Sequence, residues 1–375
     1  MGGIEIGMHA ILAYIADHTQ SQVAVITATT GFEPQTEQLD GVEVFRYRRS
    51  RRWGKWFLPL LYAFLNTGPL LRRLQPDVVC IPYILPTGIP AWYAAKAISV
   101  PVVMSVGGFD IYDPNPNLIP PKVLHRWAAY CLQRTDIIIA WSEWVKQRLI
   151  SHFDVRPETI HVIPFGVDIE RLHPGLDKQF IRSKHGIAPD KIVLLALQRL
   201  DPRKGIDVLL RALKTLVANY PNVHLIVAGK GPELEKLQSL AEQLELTDFV
   251  TFAGFVSEEE KPLYYAAADI FVFHSYYEGL GIVLEEASAS GLPIVTADAA
   301  GTRDIVVEGE TGYIVPPGNA ERLAEAVVRL LNQPETRDRY GKRGRQLAQD
   351  RFSKEVISST YLRLFEQACV SARTP

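Results

Sequence analysis

The sequence predicts two doubly wound α/β domains facing a cleft. Short apolar runs rich in β-branched residues alternate with helical patterns along the whole chain, and one strandless segment, 166–191, interrupts the alternation near the middle. Strands that are apolar throughout suit parallel sheets covered on both faces, and repeated strand–helix alternation is how doubly wound folds are built. The 375 residues, 47% of them hydrophobic, suffice for two cores.

In the first half, strands are expected at 22–27, 42–47, 76–81, 101–106, 136–140 and 160–164. In the second half they are expected at 192–197, 223–229, 250–254, 269–273 and 292–296. The break at 166–191, "RLHPGLDKQFIRSKHGIAPDK" with its flanks, carries Pro, Gly and charge. The domains are therefore 1–170 and 171–353, followed by a terminal helix within 354–375 that is free to pack back on the first domain. Two such sheets would leave a cleft lined by strand carboxyl ends, where open α/β sheets bind ligands.

A net charge of −2 gives no field for nucleic acid. Cys80, Cys131 and Cys369 are far apart and lack metal-ligand spacing, which suits a reducing cytoplasm. Apolar runs such as "FLPLLYAFL" (57–65) are shorter than a spanning helix, and no leader with a cleavage site opens the chain. These features point to a cytoplasmic protein, at most peripheral at the inner face of a membrane.

The chemistry gathers in the second half. In "LALQRLDPRKGIDVLLRAL", Arg199 and Lys204 lie in the turn after an apolar strand and before an amphipathic helix. Two cations beside a helix N-terminus make an anion site, with a diphosphate as the natural guest. Alone, such a pair also reads as a solvated basic turn. The stretch "SYYEGLGIVLEEASASGLPIV" (275–295) adds to it. A helix starting near Gly281 leaves the amides of Gly279, Leu280, Gly281 and Ile282 as donors, and the glycines admit a ligand closely. Glu278, before the helix, would reach hydroxyls beyond a phosphate. Glu286, farther along, would accept two ribose hydroxyls. A plain preference of acids for a helix start explains Glu278 but not Glu286. Glu285, turned from Glu286 by about 100°, is expected at the surface or between domains.

With "RLDPRKG" (199–205), "GKGPE" (229–233), "FAGFV" (252–256), "AGTRDIV" (300–306) and "GETGYIVPPGN" (309–319) in order around that stretch, the second half resembles the family 4 retaining glycosyltransferases. The E-x7-E signature stands as Glu278 and Glu286. The first half resembles the family through "GGIE" (2–5), "GGFDIYD" (107–113) and "IPFGVDIERLHP" (163–174). The resemblance implies the GT-B fold, two Rossmann-like domains, and a nucleoside-diphosphate sugar held mainly by the second. It implies that Arg199 and Lys204 hold the diphosphate as it leaves and that Glu286 holds the ribose. Gly254, Phe255 and Val256 would meet the base through backbone groups, and Glu278 would face the sugar as a positioning residue. The acceptor or cleft side would include Gly2, Gly3, Gly107, Gly108 and Asp110. No D-x-D triplet is present, so neither metal nor cofactor is expected.

Two departures stand out. Many relatives have a histidine where this chain has Gly107, so sugar contact at that loop does not carry over; Asp110 there also suits a turn that accepts backbone amides. In the family the "GGIE" loop follows a central first strand, which is absent before Gly2, so the numbering is expected to begin at an internal or misassigned start, the alternative being a true variant in which another segment fills the slot. Losing such a strand would remove side chains worth about 1.5–3 kcal/mol each.

The segment 46–57, with Arg46, Tyr47, Trp53, Trp56 and Phe57 among its residues, holds six cations. It reads as a patch for an anionic membrane or an acidic acceptor, or as a solvated connection. The leading expectation is transfer of a sugar to a glycan or lipid-linked acceptor. A nucleotide-sugar 2-epimerase and an inactive nucleotide-sugar-binding remnant are the alternatives. A dinucleotide oxidoreductase is disfavoured, because "GGIE" is not a G-x-G-x-x-G loop.

Overall fold

A computed structural model describes residues 3–29, 35–48, 57–85, 87–108, 111 and 122–373. The chain divides into two compact units, Met1–Phe165 with Lys354–Pro375, and Gly166–Ser353.

The first unit opens with the helix Gly3–His18, followed by β1 (Val23–Thr29), β2 (Thr36–Leu39) and β3 (Val42–Arg48). These strands form one sheet in the order β1-β3-β2, with β1 parallel and β2 antiparallel to β3. A separate, wholly parallel sheet runs β4-β5-β6-β7, from Val79–Ile81, Val102–Val106, Ile137–Ala140 and Ile160–Val162. Where one sheet was expected, the first unit has two among its described residues. All five residues of β5 are buried, as its unbroken apolar sequence requires. The last helix, Lys354–Arg373, belongs to this unit, where the Tyr361 hydroxyl lies 3.2 Å from Ser105 Oγ.

The second unit holds one six-stranded sheet, β10-β9-β8-β11-β12-β13, with every pair parallel. Its strands are β8 (Ile192–Leu197), β9 (Val223–Ala228), β10 (Val250–Gly254), β11 (Ile270–Phe273), β12 (Ile294–Ala297) and β13 (Gly312–Val315). Counted within the unit this is the order 3-2-1-4-5-6, which reverses direction between β8 and β11. The helix Ile206–Val217 covers the sheet with Ile206, Leu209, Leu210, Leu213 and Leu216, the i, i+3, i+4 stripe of an amphipathic helix.

Two strands went unread in the sequence, β2 and β13. β2, "TEQL", is a polar edge strand and β13 starts on a glycine, so neither presents an apolar run.

Candidate active site

The reversal of strand order places the loops after β8 and β11 side by side. They are stitched by backbone and hydroxyl contacts: Tyr276 N–H donates to Arg203 O at 2.8 Å, and Ser275 Oγ donates to the same carbonyl at 3.2 Å. Gly205 sits at φ +55°, and a Cβ there would come within 2.4 Å of His274 Nδ1, so the close approach of the loops requires a glycine. Gly318 N–H donates to His274 Nε2 at 2.9 Å, which puts the proton of the neutral ring on Nδ1. Burial pushes the His274 pKa down to about 4.

Across this junction Lys204 Nζ donates to Glu278 Oε2, and both side chains are largely buried. Lys204 also lies 5.4 Å from the centroid of the Phe273 ring. Thus the cation assigned to a diphosphate and the carboxylate assigned to a sugar form one ion pair. Arg199 differs. Its side chain is 72% exposed and its Nε is 3.9 Å from Asp201 Oδ2, a carboxylate that also caps the short turn Pro202–Lys204 through Arg203 N–H.

Glu278 is followed by Gly279, Leu280 and Gly281, and Gly281 at φ +86° is the N-cap of the helix Ile282–Ala289. No side chain caps that helix start. Gly301 N–H donates to Glu278 O at 3.0 Å, and a Cβ on Gly301 would lie 2.3 Å from Gly279 O. The "AGTRD" turn therefore braces the glycine loop from behind.

Glu286, on the same helix, is gripped at both oxygens. Lys261 Nζ donates to Oε1 at 2.9 Å and the Tyr265 hydroxyl to Oε2 at 2.6 Å. Burial opposes the Lys261 charge, but the carboxylates of Glu286 and Glu258 outweigh it and hold its pKa above the ordinary value. Burial, then the Glu286 carboxylate, raises Tyr265 well above its ordinary value. A carboxylate has about four lone-pair sites, so each oxygen keeps acceptor capacity for a hydroxyl. Lys261 and Tyr265 carry no motif and were not anticipated.

Glu285 corrects an expectation. It is wholly buried and so not at the surface, and its Oε2 accepts the N–H of Gly166, the first residue of the second unit, at 3.0 Å. The helix buries every residue from Leu284 to Ala289, so rotation by about 100° does not reach solvent.

In the "FAGFV" stretch, Gly254 has φ +71° and its carbonyl accepts Gly229 N–H at 2.7 Å. Phe255 is exposed with Lys230 Nζ 4.5 Å from its ring centroid, and Val256 is buried. In the first unit, Gly107 and Gly108 end β5. A Cβ on Gly107 would stand 2.2 Å from the Trp141 indole, which itself donates to Ser105 Oγ at 2.6 Å. The indole thus occupies the space that a side chain at Gly107 would need. Gly3 begins the first helix. Gly2, Asp110 and most of 46–57 lie outside the described residues.

Residues 177–347 match the family Glycosyl transferases group 1, and residues 1–171 match Glycosyltransferase Family 4. The chain belongs to glycosyltransferase family 4. Over 98% of its length it is 30% identical to Spore coat protein SA of Bacillus subtilis, covering 95% of that protein. It is 35% identical to the GDP-mannose-dependent alpha-(1-6)-phosphatidylinositol monomannoside mannosyltransferase of Mycolicibacterium smegmatis, over 57% of this chain and 58% of that relative. The match therefore spans little more than half of that family 4 relative's length. The fold is GT-B. Anabaena HepE, solved in complex with UDP-glucose, superposes with a TM-score of 0.80 at 21% identity, covering 98% of this chain and 96% of that one.

Proposed function

We propose that the chain is a retaining, metal-independent glycosyltransferase that moves a sugar from a nucleoside diphosphate to a glycan or lipid-linked acceptor on the cytoplasmic side of a membrane. The observation that carries this reading is the Lys204–Glu278 pair at the point where the sheet reverses, beside an uncapped helix start. Arg199, Lys204 and the amides from Gly279 to Ile282 would take the two phosphates. Lys204 would then meet the charge that builds on the departing diphosphate, the kind of stabilisation that dominates such reactions. Glu278, released by that exchange, would lie against the sugar and favour the positive character of the anomeric carbon. The acceptor oxygen would bond to that carbon on the face the diphosphate leaves, and its proton would pass to the diphosphate. Glu286, fixed by Lys261 and Tyr265, would accept the ribose hydroxyls. Phe255 and Val256 would offer the base their backbone groups, since the Gly254 carbonyl is already engaged.

The printed name of the mycobacterial relative makes GDP-mannose the first donor to test, with UDP-glucose second. Titration calorimetry in the presence of EDTA should show one donor binding, and Arg199→Ala with Lys204→Ala should abolish it. Binding that needs an added divalent ion would overturn metal independence. Donor turnover with inversion of the anomeric centre would overturn retention.

A further inference from the structure

Lys204 ends on Glu278, and the backbone that carries it is held by two buried polar side chains, Gln198 and His274. Gln198 follows β8, where its N–H donates to Ala228 O at 3.0 Å. Its side-chain Nε2 donates to Lys204 O at 3.1 Å. Lys204 N–H donates to Asp201 O at 3.0 Å, so the N–H and the carbonyl of the lysine are both engaged. Gly205 comes next, at positive φ, and starts the helix Ile206–Val217. Its carbonyl accepts Val208 N–H at 3.1 Å, and the His274 ring stands where a Cβ would be. His274 is fixed in turn, by Gly318 N–H on Nε2 and by the Tyr276 ring, which meets it edge-on at 5.5 Å. One imidazole therefore joins the loops after β8, β11 and β13.

Both side chains carry a cost. Gln198 Oε1 and His274 Nδ1 are buried and have no hydrogen-bond partner among the described residues. A buried polar atom left unpaired costs stability that an apolar side chain of the same size would not. If these two only filled space, methionine and leucine would fill it better. What they supply beyond volume is direction: an amide aimed at the Lys204 carbonyl and a ring nitrogen aimed at the Gly318 amide. Functional side chains are aimed by neighbours of this kind, whose own rotamers are locked by packing and hydrogen bonds.

We propose that Gln198 and His274 are positioning residues for Lys204, which keep its ammonium aimed at the outer phosphate of a nucleoside diphosphate. Their role rests on the one proposed for Lys204 at the leaving diphosphate. Each acts through the Lys204–Gly205 backbone and needs no contact with the ligand.

Calorimetric titration with GDP and UDP, and with GMP and UMP for comparison, tests this with neither donor sugar nor acceptor. Wild type should bind the better diphosphate more tightly than its monophosphate, and Lys204→Ala should erase about tenfold or more of that preference. Gln198→Met and His274→Leu should each narrow it about fivefold, with monophosphate affinity unchanged and melting temperature no lower. His274→Gln, which keeps an acceptor for Gly318 N–H, should restore most of the preference. Added to Lys204→Ala, neither variant should have a further effect. If His274→Leu does not fold, Gln198→Met alone decides. The proposal fails if the two variants weaken mono- and diphosphate alike, if they leave the preference intact, or if their losses add to that of Lys204→Ala. A Lys204→Ala chain that keeps the full preference overturns the role of Lys204 as well, and a wild type that binds neither diphosphate overturns the whole site. Only these last two outcomes reach back to the proposed function.

Discussion

The loop 275–281 buries Glu278, the helix Ile282–Ala289 that follows it buries Glu286 beside Glu285, and Glu278 and Glu286 are held differently. Glu278, in the loop, meets one lysine from a facing loop. Glu286, in the helix, is held at both oxygens by Lys261 and Tyr265, which come from the helix Lys261–Ala267 before β11. An ion pair between two loops is exchangeable: a phosphate can take the lysine and leave the carboxylate beside a sugar. A carboxylate locked between a buried phenol and an ammonium is preorganised, and it presents the same acceptors before and after binding. Under the proposed function, the contrast gives reaction to the loop and recognition to the helix.

Removing Lys204 breaks the loop half of the contrast, with the largest effect. Lys204→Ala strands a buried carboxylate and takes away the cation proposed to face the leaving group. The expected loss in kcat is about 10²–10³, the usual cost of removing one preorganised donor in a reacting site. Steady-state rates with saturating donor check it. If kcat is unchanged and only KM rises, Lys204 binds the diphosphate without assisting its departure.

His274, at the head of the same loop, tests how firmly the loop is held. Its ordinary pKa of 6.5 falls to about 4 because burial penalises the charged ring. Below 6.5 the unfolded chain takes up a proton that the folded chain refuses, so stability is intact above that pH and lost as pH falls towards 4. The loss amounts to ~3 kcal/mol in all. His224, similarly lowered to about 4 by burial, adds to the fall over the same window. His274→Gln, whose amide oxygen can accept Gly318 N–H, should make urea midpoints between pH 7 and pH 4 decline less steeply. An unchanged slope would mean that the ring takes a proton in the folded loop.

Much of the loop was legible in the sequence because its parts are contiguous. Arg199 with Lys204, and Glu278 with the glycines after it, each fall within one short motif, and parallel-sheet logic brings the two motifs together at the carboxyl ends of β8 and β11. The grip on Glu286 was not legible. Lys261 and Tyr265 precede it by a strand and a loop, and in "KPLYYAAADI" they read only as part of a helix. The complete burial of Glu285 was missed for a related reason. Helical periodicity presumes one wet face, and Ile282–Ala289 is enclosed nearly all round. In the first unit, the division of the strands into two sheets among the described residues was not readable from strand patterns, which give strands but not their neighbours. Gly107 showed its departure from relatives but not its cause, because the Trp141 indole that excludes a side chain there comes from the end of β6.

The smallest effects decide whether the helix half of the contrast is right. Glu286→Ala should weaken donor binding by about 1.5–3 kcal/mol, the usual cost of losing a charged acceptor. Tyr265→Phe leaves that charge in place and removes one neutral donor, so the donor should bind weaker by only about 1 kcal/mol, with kcat unchanged. The informative comparison is a donor lacking the ribose 2′-hydroxyl. If Tyr265 aims Glu286 at the ribose, Tyr265→Phe should narrow the gap in affinity between the natural and 2′-deoxy donors. If the phenol only props up the helix, both donors should weaken in parallel and thermal stability should fall with them. Glu286→Ala fixes the scale, since a variant without the carboxylate should show the narrowest gap. A wide gap in Glu286→Ala would move ribose recognition elsewhere, and the clamp on Glu286 would then be a brace between two buried helices.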